Sequence, residues 1–250
     1  MIADTAYEEA RQLCEEIASN IEEPRFYQEK AREMDYSRQL FENHAFVKKF
    51  LEIVAENEDS YGHGLSHARK VSIDCGAIIM IEGTGRFSET EMQKMILRAH
   101  LAGVLHDIKR TSPNHAREGA NEAGKILQKF NIGHDDRTGI TLAIENHEAF
   151  KLIRPLDSPV HQLLSDALYD ADKFRWGPDN FTEMLWDIIV PKKVPLKKVL
   201  NHFTPGLEAT RRIRDTFRSR TGKTYGPDFI DKGLLVGKRF YRELKARLQG

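Results

Sequence analysis

The residues of this 250-residue chain best suited to chemistry are His106 and Asp107, an adjacent imidazole and carboxylate closing the apolar run 99–105 and followed by Lys109 and Arg110. At a buried helix end neither charged form is favoured unless a partner compensates for lost hydration. A divalent cation compensates both, because imidazole nitrogen and carboxylate oxygen are its ordinary ligands. A lone His-Asp pair says little, so its company decides. His67 sits one turn before Val71 on a face that continues through Cys75 and Ile78; His115 opens a helix rich in alanine. His147 follows Ile140 and Ile144 at spacings of seven and three, and Asp172 lies one turn after Leu168 on an apolar stripe. Singly, each histidine reads as a hydrogen-bonded core residue, and Asp172 as the partner of a buried Arg or Lys. Together, these six residues on separate helices, apart from the adjacent pair, fit ligands projecting inward from facing helices. The remaining histidines (His44, His63, His100, His134, His161, His202) lack this pattern and read as surface or satisfied core positions.

The elements that must carry these residues are helical throughout. Tyr7, Ala10, Leu13, Cys14, Ile17 and Ile21 recur at three- and four-residue intervals, a helix starting near Asp4 or Thr5 and interrupted by Pro24. A longer helix is expected next, with Leu40, Phe41, Val47, Phe50, Leu51 and Val54 inward. The turn-rich stretch 58–64 precedes a helix capped by Ser66, and Glu89–Leu105 delivers the His-Asp pair. Asn114 is a candidate cap for the helix opened by His115, and Asp135 or Asp136 starts the one that ends near His147. Thr204-Pro205 reads as a cap and first helical residue, opening 207–220, with a loop over 222–227 and a last helix from Asp228. No alternating strand pattern stands out. The fold class expected is all-α, with residues 1–58 an N-terminal helical extension, 59–185 a metal-binding core, and 186–250 a basic C-terminal extension packed on it.

Composition narrows the function. Formal net charge is zero, so no global field draws the chain to nucleic acid or to an anionic membrane. The charge is nonetheless uneven: residues 1–58 carry seven Lys/Arg against fourteen Asp/Glu, and residues 186–250 sixteen against six. These segments read as solvated faces or mutual partners; the sharper alternative is that C-terminal cations meet an anionic substrate. Cys14 and Cys75 form no redox or metal motif and suit a reducing compartment. With no leader-like start and no apolar run approaching a span, a soluble, cytoplasmic protein is expected, with no membrane and no nucleic-acid polymer as partner.

The order and local context of the six residues resemble the HD superfamily of metal-dependent phosphohydrolases. Segments of its small cytosolic branch run approximately Ser-His-Asp-x-x-His-x-x-Arg-Val, Leu-Leu-His-Asp-Ile, His-Ala-x-x-Gly-Ala, Ile-x-x-His and Asp-Ala-Asp-x-Leu-Asp. This chain has His63-Gly64-Leu65-Ser66-His67-Ala68-Arg69-Lys70-Val71, Val104-Leu105-His106-Asp107-Ile108, His115-Ala116-Arg117-Glu118-Gly119-Ala120, Ile144-Glu145-Asn146-His147 and Asp170-Ala171-Asp172-Lys173-Phe174. The likeness covers roughly residues 60–180. Gly64, Lys70, Phe174 and Arg175 depart from the pattern, and these departures bear on substrate more than on ligands. No Gly-Tyr-Pro follows His147, unlike the cyclic-dinucleotide phosphodiesterases, and no Glu-Asp pair closely follows the His-Asp motif, unlike the guanosine-tetraphosphate hydrolases.

The resemblance implies an HD-domain helical bundle in which His67, His106, Asp107 and Asp172 hold one divalent ion. His115 and His147 would either hold a second ion, with Asp107 bridging, or contact phosphate beside a single ion. Four histidines and two carboxylates suit Fe, Mn, Co, Ni or Zn, with Mg for a single filled site. The implied reaction is hydrolysis of a phosphate ester or anhydride by a metal-bound hydroxide, on a small phosphorylated substrate such as a nucleotide. Asp107, Arg110 and Lys173 are the candidate catalytic residues, although either cation reads equally well as a surface charge. Asp170 or Glu118 can orient water or accept a proton, or can lie on a solvated face or pair with an Arg; His63 can protonate a leaving oxygen or cap its turn. Two rival readings stand beside this one: a di-iron oxygenase built on the same six ligands, and a non-catalytic metal-binding regulator. A homo-oligomer is compatible with all three.

Overall fold

A computed structural model describes residues 2–57 and 64–249. Among these, the chain forms twelve α-helices, one π-helical turn and no strand, an all-α fold. The N-terminal helices are α1 (Ile2–Ser19), α2 (Arg25–Glu29), α3 (Ala31–Asn43) and α4 (Ala45–Asn57). The middle of the chain forms α5 (Gly64–Gly83), α6 (Glu89–Leu105), α7 (His115–Lys129), α8 (His134–Glu145) and α9 (Pro159–Phe174). The π-helical turn Asn180–Met184 runs into α10 (Leu185–Ile189), followed by α11 (Leu196–Ile213) and α12 (Arg220–Gln249).

Helix α5 is the hub. Its run from Val71 to Ile79 is buried without a break, so it has no polar face and must be surrounded. Its neighbours are α6 most intimately, then α9 and α3. The α5–α6 approach is set by Gly103: a β-carbon there would lie 2.5 Å from Ser72 Oγ and 2.6 Å from Ser72 Cα. Helix α6 starts with a capping box, in which Ser88 Oγ accepts from the Glu91 amide and the Glu91 carboxylate accepts from the Ser88 amide. Helix α9 starts with Ser158 as cap and Pro159 as its first residue. Helices α7 and α8 pack on each other, and α8 also packs on α9 and on α6.

Two apolar cores result. The larger joins α2 through α9 with Ile213, Phe217 and the first part of α12. The smaller joins Tyr7, Leu13, Cys14 and Ile17 of α1 to Phe181, Trp186, Phe203 and the later residues Val236, Phe240 and Leu244 of α12. The first 57 residues are therefore divided: α1 belongs with the C-terminal helices, and α2 to α4 belong with the hub.

The structure corrects four element boundaries. The long helix expected over 40–54 is two helices, broken at His44, whose ψ of 123° is extended. Phe41 and Val47 are both buried, yet six residues of helix would rotate them well apart; the break realigns them. Ser66 lies inside the first turn of α5 rather than before it. Pro205 is inside α11, where the carbonyl it orphans belongs to the exposed Asn201 and is left to water. Pro227 is likewise inside α12, held by buried Tyr225 and Gly226 before it and Phe229 and Ile230 after it. The start of α12 is fixed by Ser219, whose Oγ accepts from the Gly222 amide at 2.8 Å.

Candidate metal centre

Five helices deliver the six residues to one place. His67 lies in the first turn of α5, His106 and Asp107 just beyond α6, His115 at the start of α7, His147 two residues beyond α8, and Asp172 in the last turn of α9. Two of the imidazoles are oriented by the chain itself. His106 Nδ1–H donates to the Gly103 carbonyl at 2.7 Å, and His147 Nδ1–H donates to the Ile144 carbonyl at 2.6 Å. Each of these bonds reaches back three residues, fixes the tautomer and leaves Nε2 as an inward-facing lone pair.

The Nε2 atoms and carboxylate oxygens converge in two groups that share Asp107. In the first, His67 Nε2 lies 3.2 Å from His106 Nε2, and Asp107 Oδ2 lies 3.4 Å from His106 Nε2 and 3.8 Å from His67 Nε2. Asp172 Oδ1 adds to this group, 3.3 Å from His67 Nε2 and 3.7 Å from His106 Nε2. In the second, Asp107 Oδ1 lies 3.5 Å from His147 Nε2 and 4.0 Å from His115 Nε2. Each triplet has its three donor atoms within 4.8 Å of one another. Donors placed tetrahedrally about a transition metal lie about 3.4 Å apart, so this spacing matches a coordination shell.

The fit of a cation is tested by what the site leaves unsatisfied. His147 Nε2 is fully buried and makes no hydrogen bond. A buried nitrogen lone pair facing a carboxylate oxygen at 3.5 Å is costly unless a proton or a metal lies between. One buried carboxylate, Asp172, and one part-buried, Asp107, sit among four imidazoles, a mixed nitrogen and oxygen set of the kind that suits transition metals. These groups of buried His and Asp side chains can therefore hold a metal ion.

Electrostatics sharpen the picture. Burial alone would raise the Asp107 carboxyl, but His106 beside it and Arg110 hold it well below the usual range. Burial opposes the Asp172 charge too, and Lys173 and His67 overcome it. Burial lowers His67 and His115. At neutral pH the carboxylates are ionised and these two imidazoles neutral, whereas at His106, against its burial, Asp107 and Asp172 raise the imidazole towards the protonated form, so that a metal binding there displaces a proton.

Of the cations expected to meet phosphate, Arg110 places Nη1 3.3 Å from both oxygens of Asp107 while remaining half exposed. Lys173 is buried, with Nζ 2.5 Å from Asp172 Oδ2 and 5.2 Å from the centre of the Tyr169 ring. Asp170 does not lie on a solvated face. It is fully buried and accepts the backbone amides of Arg218 and Ser219 at 2.8 Å each, capping the approach to α12. Glu118 is exposed, and His63 lies outside the described residues.

Two features were not visible in the sequence pattern. Glu148, directly after His147, brings Oε1 to 3.8 Å from His115 Nδ1. The departures Lys70 and Arg175 meet behind His67: both bond Asp179, Lys70 also bonds Glu183, and Arg175 also bonds Tyr27 and Asp74, the last at 2.5 Å. Adjacent acidic residues after His147 and in 179–183 were the available signals, and they had no helical stripe to mark them. Compared with family models, curated proteins and solved structures, the chain matches none.

Proposed function

We propose that this chain is a metal-dependent phosphohydrolase of the HD type, cleaving a phosphate ester or anhydride of a small, nucleotide-like substrate. The observation that supports it most is the shared carboxylate: Asp107 faces one histidine pair with each oxygen. His67, His106, Asp107 and Asp172 would hold one ion, and His115 and His147, with Asp107 between, would hold a second. Bound there, such ions supply a nucleophile at neutral pH and Lewis-acid stabilisation of a phosphoryl group.

The protein's own residues do the rest. Arg110, half exposed and anchored on Asp107, offers fixed positive charge to an incoming phosphoryl oxygen. Lys173 holds Asp172 ionised and in place. Glu148 faces the outer nitrogen of His115, and its charge favours a proton there, which keeps the inner nitrogen available as a ligand. The carbonyls of Gly103 and Ile144 do the same for His106 and His147.

The test is phosphate release from a nucleotide and phosphodiester panel, with protein reconstituted with Mn, Fe, Co or Mg. Metal-dependent release that His106→Ala abolishes and Arg110→Ala lowers by about 10²–10³-fold is the expected result. Iron-dependent oxygen uptake without phosphate release would replace this reading with the oxygenase, and tight metal binding with neither activity would replace it with the regulator.

A further inference from the structure

Away from the metal centre, the structure gathers exposed apolar side chains and cations on one side of α11. The connection from His147 to α9 carries Phe150, Leu152 and Ile153 at 56, 101 and 47% exposure. This is a built projection rather than a slack loop. The Asn146 side chain closes its base, Nδ2 donating to the Arg154 carbonyl at 3.0 Å and Oδ1 accepting the Arg154 amide at 2.8 Å. Arg218 Nη1 donates to the Asn146 carbonyl at 2.8 Å, and Arg154 is tied to Glu145 at 3.1 Å. Phe150 has a φ of 63°, a left-handed conformation that a bulky side chain adopts only where its surroundings impose it.

Arg212 of α11 lies over the Phe150 ring, with Cζ 4.5 Å from its centre. From Arg212 a stripe at helical spacing runs back through Ala209, Gly206 and His202 to Lys198. Those four residues form one wall of an apolar groove of about 500 Å³, whose opposite wall includes Leu185, Ile188 and Val194. Ile188 and, two residues on, Val190 are exposed large hydrophobics as well. The surrounding segment 191–220 carries nine Lys/Arg against two Asp/Glu in a chain of zero net charge. Glu208 pairs with Arg211 and Asp231 with Arg214. Glu208, one turn before Arg212, also feels its charge.

Against the expectation of no membrane partner, which rested on the zero net charge of the whole chain, we propose that this locally basic face, the 150–153 projection together with the α11 stripe, docks on an anionic phospholipid bilayer surface. Protruding apolar side chains with lysine and arginine beside them are the composition of interfacial membrane contacts. Lysine is depleted at protein–protein interfaces. No described helix is long and apolar enough to cross a membrane, so the contact is peripheral. It brings the bilayer to the loop that holds His147, but it depends neither on the metal nor on any activity.

Co-sedimentation with vesicles tests it. The full chain is expected to sediment with vesicles of equal parts phosphatidylglycerol and phosphatidylcholine, to stay behind with phosphatidylcholine alone, and to be released by high salt. Leu152→Asp and Arg212→Glu, both at exposed positions, are each expected to lower the bound fraction's partition coefficient about tenfold or more. A wild-type chain that does not bind anionic vesicles, or binding that both variants retain, overturns the proposal. So does sedimentation equilibrium showing a dimer that Leu152→Asp dissociates, because the face would then be a contact between copies.

Discussion

At the scale of single residues, the site depends on nitrogen and oxygen atoms that the chain orients before any ligand arrives. His106 and His147 each spend one nitrogen on a carbonyl three residues back, so the other is aimed at Asp107. His100 shows the opposite fate for a buried imidazole. It is fully buried, with Nε2 3.0 Å from Ser37 Oγ, and burial pushes it down to about 3. Because its folded pKa lies below its unfolded value near 6.5, the unfolded chain binds the extra proton first, and stability falls as the pH drops from about 6.5 towards 3. That loss is at most about 1.4 kcal/mol per pH unit. Urea unfolding at pH 7 and pH 5 is expected to show a shallower acid dependence in His100→Gln than in the wild type, even if the variant is less stable at both. Burial also pushes the Cys14 thiol up to about 12 and the Cys75 thiol well above its usual value. A disulfide-exchange reagent at pH 8 is therefore expected to modify neither in the native chain and both in denaturant.

The legibility of the sequence also differed residue by residue. His67, His115, His147 and Asp172 stood out because each falls on an apolar face or at a helix start, a relation that spacing alone reveals. Asp170 did not, because its partners are the amides of Arg218 and Ser219, forty-eight and forty-nine residues away. The pairing of Lys70 and Arg175 through Asp179 was equally hidden, since contacts between distant helices leave no periodic trace.

At the scale of elements, positions are set by close approach. Gly103 lets α6 lie directly on Ser72 of α5, and it sits one turn before His106. Gly103→Ala pushes a methyl against backbone that cannot move aside. It is expected to cost about 2–3 kcal/mol in chemical denaturation and to lower metal affinity by displacing His106. The start of α12 offers a milder case. Ser219→Ala removes the cap on Gly222 and is expected to cost about 1 kcal/mol, with metal content unchanged. The prolines mark where local rules gave way: Pro205 and Pro227 read as boundaries but lie inside α11 and α12, because flanking buried residues outweigh one lost hydrogen bond. The break at His44 went unread for a related reason, since an apolar run shows that a segment is buried more clearly than it shows a turn within it.

At the scale of the whole molecule, five helices converge on the donor cluster and none holds it alone, so a metal that binds there would be linked to folding. A ligand present at about a hundred times its dissociation constant adds about 2.7 kcal/mol of stability. For a chain of this length, that corresponds to a rise in melting temperature of roughly 5–10 °C. The central claim is that Asp107 joins two groups of histidines around divalent cations, and metal content after reconstitution with Mn or Fe and desalting tests it most directly. Bound metal is expected in the wild-type chain, with partial loss in His147→Ala and near-complete loss in a folded Asp107→Ala. A wild-type chain that retains no metal, or an Asp107→Ala chain that retains as much, would contradict it.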